Sequence, residues 1–182
     1  MNDLEYEIVK KEKQLIVGLA VRTDNERAMK DIPEVCAKFQ EGWQEKITNC
    51  VNDDIVCAYL EYDEDFNKPY TYIIGCIVKN ADKIPAGMVC KELAGGTYAK
   101  VEVFGEYPES LLAAWEDIWD SDIDRSYTTD FELYDQHFTD ENDYYFNIYL
   151  SMPEGVEPDE LDEDEDDEVC EDESCDDESC GE

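Results

Sequence analysis

The chain has 182 residues, a length that fits one domain or two small halves that share a core. It carries 50 acidic and 14 basic residues, so its net charge at pH 7 is −36. Residues 154–182 contain 18 acids and no Lys or Arg, which leaves the other −18 on residues 1–153. Even this body repels nucleic-acid phosphates, and no DNA-reading motif is visible, so direct nucleic-acid binding is not expected.

The N-terminal sequence "MNDLEYEIVKKEKQ" lacks the apolar stretch of a signal peptide. No run in the chain approaches the 18 or so apolar residues that a membrane-spanning helix needs. We therefore predict a soluble, cytoplasmic protein without a membrane partner.

The first half of the chain is predicted to form two strands, a helix and two more strands. The strand segments are rich in β-branched and aromatic residues, and they are "YEIVKK", "QLIVGLAV", "DIVCAYLEY" and "YTYIIGCIV". The helix segment is "DIPEVCAKFQEGWQEKI", in which Ile32, Val35 and Phe39 recur at helical spacing. Pro33 is expected in the first turn of this helix, where its missing N–H costs nothing.

The same order of elements recurs after the linker "KNADKIPAG". The predicted strands of this second half are "MVCKEL", "TYAKVEVFG", "DFELYDQH" and "YYFNIYLSM". Its predicted helix is "YPESLLAAWEDIW". The apolar side of that helix is expected to comprise Leu111, Leu112, Trp115, Ile118 and Trp119.

Two landmarks align the halves as a repeat. They are Pro33-Glu34 with Pro108-Glu109, and Tyr62-Asp63-x-x-Phe66 with Tyr134-Asp135-x-x-Phe138. One such unit alone would be marginally stable. We therefore predict an α+β fold in residues 1–153, made of two strand-strand-helix-strand-strand repeats, about residues 3–80 and 86–153. These pack about a pseudo-twofold axis and form an antiparallel sheet with a central ligand groove.

Residues 154–182 are predicted to form a disordered acidic tail, because a block of like charges cannot bury enough surface to fold. The tail contains Cys170, Cys175 and Cys180 at a spacing that is not typical of a zinc site. Weak binding of a soft metal by these three thiolates is the alternative. The other five cysteines lie in apolar segments and are predicted to be reduced core residues. No cofactor is predicted.

The strand "DFELYD" places one acid among apolar residues. Alternation along a strand puts Phe131 and Leu133 on one face, where we expect them to pack against a helix. Glu132 is then expected on the other face with Tyr134, beside Tyr149 or Asn147 of the neighbouring strand. The repeat makes Leu60 its counterpart in the first half. The alternative is a sheet face open to water, where a carboxylate has no special role.

Several segments together resemble the GyrI-like small-molecule-binding domain. They are "IPAGMVCKELAGGTYAKVEVFG", the helix ending in "DIW", the strand "DFELYD" and the final "NIYLSM". This domain is the effector-binding module of AraC- and BmrR-type multidrug transcription regulators, and it occurs alone in the gyrase inhibitory protein. The resemblance covers about residues 3–153 and implies a stand-alone effector-binding protein.

In the family, a strand glutamate and nearby aromatic residues line a groove that takes cationic, amphipathic ligands. The resemblance carries these roles onto Glu132 and, more loosely, onto Trp119 and Tyr134. The last strand departs from the family pattern, because Asn147 stands where an acid is common and Ser151 replaces a proline. Further pocket candidates are Tyr72, Tyr98, Asn147 and Tyr149, whereas Phe39, Trp43 and Trp115 are predicted to be core residues.

Two other functions stay open. Some members of this superfamily hydrolyse reactive compounds, and in that case Glu132 would be a general base with Glu61 as a second acid. His137 is expected in a solvated loop, and residues 1–153 contain no nucleophile elbow or phosphate loop, which favours binding over catalysis. Alternatively, the acidic surface would bind a protein partner such as a topoisomerase or a transcription regulator.

Overall fold

The computed structural model describes residues 4–64, 67–139 and 145–156. Within these ranges the strands are β1 (Glu7–Lys11), β2 (Gln14–Thr23), β3 (Ile55–Leu60), β4 (Tyr70–Val78), β5 (Val89–Leu93), β6 (Gly96–Phe104), β7 (Thr129–Tyr134) and β8 (Tyr145–Ser151). The helices are α1 (Ala28–Gln40) and α2 (Glu109–Asp120). All the predicted elements are present, so the α+β class is confirmed.

The eight strands form one antiparallel sheet in the order β1-β6-β8-β7-β3-β4-β2-β5. Strands β7 and β3 pair at its centre, and each strand on one side has an equivalent on the other. The first strand of each predicted repeat lies in the opposite half, because β1 pairs with β6 and β5 pairs with β2. The strand order is therefore symmetrical about the β7–β3 pair, and neither half of the sheet is built from one predicted repeat alone, so the duplication stays a prediction.

Helix α1 begins three residues before the predicted segment. The Asp24 carboxylate accepts hydrogen bonds from the backbone N–H groups of Glu26 and Arg27, at 3.1 and 3.0 Å, in the turn that leads into the helix. Pro33 therefore lies inside the helix and not in its first turn, so that prediction was wrong. The helix ends at Gln40, where the chain turns.

Both helices pack on the same face of the sheet. Helix α1 contributes Phe39 to a buried cluster that includes Tyr72, and α2 contributes Trp115 to a second cluster that includes Phe146. The predicted apolar side of α2 is only partly buried, since Leu112 and Trp119 are 51% and 52% exposed. The reason is that a surface helix buries only one side, and in α2 that side is formed by Ala114, Trp115 and Ile118.

The opposite face of the sheet is buried without a helix from the described residues. Its cluster contains Phe131 and, at its margin, Leu133. Residues from both sheet edges join it, with Val9 from β1 and Leu93 from β5, so the sheet curls around this cluster. The prediction that Phe131 and Leu133 pack against a helix was therefore wrong, and the curled sheet supplies their cover.

Some of the sequence predictions fall outside the described residues. These are the acidic tail from residue 157 onward, with Cys170, Cys175 and Cys180, and Phe66 of the repeat landmark. The five cysteines of the described chain are free thiols, of which Cys57 and Cys76 are buried. In the described ranges, neither helix has the length and apolar character that crossing a membrane requires.

Candidate functional site

Glu132 belongs to the central strand β7 and is only 2% exposed. Its side chain lies between the sheet and helix α2. Its carboxylate accepts three hydrogen bonds from aromatic side chains. Tyr59 Oη and Trp115 Nε1 donate to Oε1 at 2.8 and 2.9 Å, and Tyr134 Oη donates to Oε2 at 2.6 Å. Strand β3, helix α2 and strand β7 thus each supply one donor to the same carboxylate.

The pairing of β3 with β7 brings these groups together. Glu132 lies opposite Cys57 and Asp130 lies opposite Tyr59, so all four side chains share the helix-covered face. Leu60 pairs with Thr129 and faces the other way, so the prediction that it is the counterpart of Glu132 was wrong. The error is large because a shift of one residue in a strand moves every side chain to the opposite face.

The ionisation of these groups is governed by burial. Burial raises the pKa of Glu132, while the hydrogen bonds from Tyr134, Trp115 and Tyr59 oppose that rise by stabilising the carboxylate. Burial and the adjacent carboxylate hold the pKa of Tyr59 and Tyr134 well above the usual tyrosine value, so both remain donors. No Lys, Arg or His of the described residues forms an ion pair with Glu132.

Aromatic rings surround the carboxylate. The ring of Tyr59 lies 5.2 Å from that of Trp115, 5.3 Å from that of Tyr72 and 5.8 Å from that of Tyr70, measured between centroids. Trp115 in turn lies 6.3 Å from Trp119, which is half exposed at the outer end of α2. The aromatic contacts therefore run from the buried acid to the protein surface.

Of the predicted site residues, the structure places Tyr72, Tyr134 and Trp119 on the side of the sheet that holds Glu132. It places Tyr98 and Tyr149 on the opposite face. There the ring of Phe131 stacks on Tyr149 at 4.7 Å and meets Tyr98 edge-on at 5.5 Å.

Asn147 shares that opposite face, because it lies across from Leu133 and Glu102. The expectation that Tyr149 or Asn147 lies beside Glu132 was therefore wrong, since alternation in β8 directs Ile148 to the face of Glu132 instead. The structure does not bring Tyr98, Asn147 or Tyr149 together with the buried acid.

The two acids that a hydrolase would pair are also separated. Glu61 follows β3, and its carboxylate contacts Thr71 Oγ1 at 2.7 Å and Lys91 Nζ at 2.8 Å. Thr71 points to the helix-free face, because it lies across from Leu60. His137 stacks on Tyr145 at 4.7 Å in a short 3-10 turn after β7, so its ring is half-buried rather than solvated.

A second buried acid lies two residues before Glu132 on the same face. Asp130 is fully buried and binds Arg125 Nη2 at 2.5 Å and Tyr62 Oη at 2.7 Å. Its other oxygen accepts the Ser151 backbone N–H at 3.1 Å. Burial acts to lower the pKa of Arg125, but the Asp130 carboxylate and its neighbours outweigh that effect and the pKa is raised.

Three residues of this region, Tyr59, Asp130 and Arg125, were not predicted from the sequence, and Trp115 was predicted to be a core residue. One signal was present, since Asp130, Glu132 and Tyr134 alternate in "DFELYD" and must share a face. The contribution of Tyr59 depends on pairing between strands that lie far apart in the chain, which periodicity does not report.

No group of His, Cys, Asp and Glu side chains in the described ranges is arranged to hold a metal ion. What the site does combine is a buried carboxylate and the aromatic side chains that donate to it. It can attract a cation, orient rings around it and exchange a proton on Glu132.

The fold is an antiparallel sheet with both helices on one face and an acid buried between the layers. The chain belongs to the Cass2 family of integron-associated effector binding proteins, whose model matches residues 7–152. The predicted resemblance to GyrI-like domains is thereby confirmed.

Three similar proteins illustrate the family and the fold. YobU of Bacillus subtilis strain 168, whose name suggests a transcriptional regulator, is 27% identical over 143 residues, which are 74% of this chain and 89% of YobU. An integron cassette protein of Vibrio cholerae is 21% identical with a TM-score of 0.66, over 84% of this chain and 100% of its own. The structure of SAV2435 bound to tetraphenylphosphonium is 19% identical with a TM-score of 0.69, over 83% of this chain and 95% of its own.

Proposed function

We propose that this protein binds lipophilic aromatic cations and that Glu132 is the anionic anchor. The observation that carries the proposal is a carboxylate, 2% exposed, that has three aromatic donors and no ion-pair partner among the described residues. A buried charge without a counter-charge is costly, so a cation that reaches it gains a large electrostatic interaction. The surrounding Tyr and Trp faces add cation–π attraction of about 0.5–2 kcal/mol each.

The similar structure of SAV2435 contains tetraphenylphosphonium, an aromatic cation of the kind proposed. At 19% identity the similarity shows a shared fold alone. We therefore use tetraphenylphosphonium as a probe and do not assign it as the ligand of this protein. Tetraphenylphosphonium suits the test because its charge does not titrate and its four phenyl rings match an aromatic enclosure.

Entry to the site requires movement of α2. Trp115 covers Glu132 from this helix, while Trp119 one turn later is 52% exposed. A cation would first meet Trp119 and then displace the Trp115 ring from the carboxylate. The ligand would lie between α2 and the sheet, where Tyr59, Tyr72 and Tyr134 supply its walls.

The test is calorimetric titration of tetraphenylphosphonium into the wild type and Glu132→Gln. Glutamine keeps the shape of the side chain and most of its hydrogen bonds, so the variant should fold. Its affinity should fall by about 1–3 kcal/mol, roughly 5- to 150-fold in Kd, the range for a partly desolvated charge. Neutral triphenylphosphine oxide should lose much less, because it does not use the charge.

Glu61→Gln is the matched control, because it removes an acid whose carboxylate contacts Thr71 and Lys91 on the far side of the sheet. It should bind tetraphenylphosphonium like the wild type. Equal affinity in wild type and Glu132→Gln would remove Glu132 from the site. Conversion of a bound compound by the wild type, lost in Glu132→Gln while binding persists, would instead support the hydrolase alternative.

A further inference from the structure

The Arg125–Asp130 pair forms a cation site of its own beside Glu132. The guanidinium of Arg125 lies 5.7 Å from the ring of Trp115 and 4.6 Å from the ring of Tyr127. Its charge is matched by Asp130, and the two side chains are 4% and 0% exposed. This arrangement consists of an anion, aromatic faces and a buried cation. The Glu132 site would have the same components once a cationic ligand is bound.

The two sites are adjacent under helix α2, and we call the region around Glu132, Asp130 and Trp115 the compartment. Trp115 donates its N–H to Glu132 and presents its ring to Arg125, so one indole borders both. Asp130 and Glu132 are two residues apart on one strand face, which separates their Cα atoms by roughly 6.7 Å. Arg125 Nε is buried and has no hydrogen-bond partner among the described residues, so the guanidinium is incompletely satisfied where it lies.

We propose that Arg125 determines the charge of the ligands that this compartment accepts. It is a tethered cation that occupies the Asp130 subsite, so of these two acids only Glu132 lacks an ion-pair partner among the described residues, and the wild type selects monocations. Without Arg125 the compartment would offer two anions, Asp130 and Glu132, on one face of the same strand and would take compact dications. This inference rests on the proposed function, because it deepens the specificity of the same site.

The electrostatic reason is direct. A second positive charge on the ligand would meet Arg125 in a site of low dielectric constant, where like charges repel strongly. Removing Arg125 replaces that repulsion by attraction to Asp130. When Arg125 is removed, a monocation bound at Glu132 is attracted by Asp130 only from a distance. A dication can place its second charge in direct contact with Asp130, so its affinity increases more.

The probes are tetraphenylphosphonium and methyl viologen, a rigid aromatic dication, with neutral 4,4′-bipyridine as the control. Calorimetry gives the ratio of dication affinity to monocation affinity for each variant. Arg125→Gln should raise this ratio at least about tenfold over the wild type. The double variant Arg125→Gln with Asp130→Asn has the same net charge at this subsite as the wild type and should return the ratio to within about threefold.

An unchanged ratio in folded Arg125→Gln would overturn the proposal. Should that variant fail to fold, Asp130→Asn provides the second arm, because it leaves the Arg125 charge unmatched. Its affinity for tetraphenylphosphonium should fall at least about tenfold, and adding Arg125→Gln should restore it. Equal affinities in that single and double variant would also overturn the proposal. The proposed function fails separately, if wild-type binding of tetraphenylphosphonium does not depend on Glu132.

Discussion

At the scale of single residues, the pH dependence of the proposed binding depends on the carboxyl group of Glu132. Burial raises its pKa above the ordinary glutamate value, and three aromatic donors limit that rise. The unfolded chain titrates near the ordinary value, so this group contributes stability that is fully present below that value. The contribution is lost as the pH rises through the raised folded pKa.

A bound cation favours the ionised form, so its affinity should increase with pH through the same raised pKa. For tetraphenylphosphonium we expect a rise of up to about tenfold per pH unit below the folded pKa, and a plateau above it. Titration calorimetry in buffers of different ionisation enthalpy should show proton release on binding in that window. Glu132→Gln should show a flat profile and no proton release, and a wild-type profile as flat as that of the variant would contradict the assignment.

Among the elements, helix α2 separates the proposed site from solvent. It holds Trp115 over Glu132, and its outer face carries the exposed Ala113, Leu112 and Trp119. Helix α1 packs on the same face of the sheet, but it donates none of the three hydrogen bonds that the Glu132 carboxylate accepts. We therefore expect α2, and not α1, to move when a ligand enters.

Ala113→Gly weakens α2 by about 1 kcal/mol without removing a buried contact. If α2 opens for entry, the association rate of tetraphenylphosphonium should increase by up to about fivefold, measured by stopped-flow tryptophan fluorescence. Ala37→Gly is the matched control, because it places the same change on the exposed side of α1. It should lower stability comparably and leave the association rate unchanged, and equal rate effects of the two substitutions would contradict a specific role for α2.

The strands and helices could be predicted from the sequence. Which side of each strand faces the helices could not. Strand β4 was predicted at its observed bounds from composition, yet all nine of its residues are buried, so it carries no alternation that reveals a face. Both faces of the sheet are apolar, one under the helices and one inside the curl. Alternation therefore grouped Glu132 with Tyr134 correctly but could not show which group faces the helices.

The register between β3 and β7 was the other feature beyond sequence reasoning. The paired ends of these strands, Leu60 and Thr129, are 69 residues apart in the chain, so no turn fixes their alignment. The match of Tyr62-Asp63 with Tyr134-Asp135 made Leu60 the counterpart of Glu132, whereas the structure places Cys57, three residues earlier, opposite Glu132. Because three is an odd number, Leu60 lies on the other face of the sheet, and Tyr59, which the match left out, contributes to the site.

For the whole molecule, the dominant property is negative charge. Residues 157–182 hold 17 of the 50 acids. A field of this sign accelerates the arrival of cations and is screened by salt, whereas it has little effect on a ligand already bound in a closed site.

Removing residues 157–182 should therefore slow the association of tetraphenylphosphonium at low ionic strength and leave its dissociation rate unchanged. The difference in association rate should vanish at about 1 M salt, where screening acts within about 3 Å. Stopped-flow measurements of the full chain and the truncated chain across a salt series provide the check. A changed dissociation rate, or a difference that persists at high salt, would show that these residues contribute to the site directly.

The proposed cation lies between α2 and the sheet, beside Glu132. Tetraphenylarsonium has the shape and charge of tetraphenylphosphonium, and its arsenic atom can be located by anomalous diffraction from co-crystals. We expect one strong arsenic peak next to the Glu132 carboxylate and within about 6 Å of the ring of Tyr59 or Trp115. A peak on the helix-free face beside Tyr149, or peaks only on the protein surface, would contradict it.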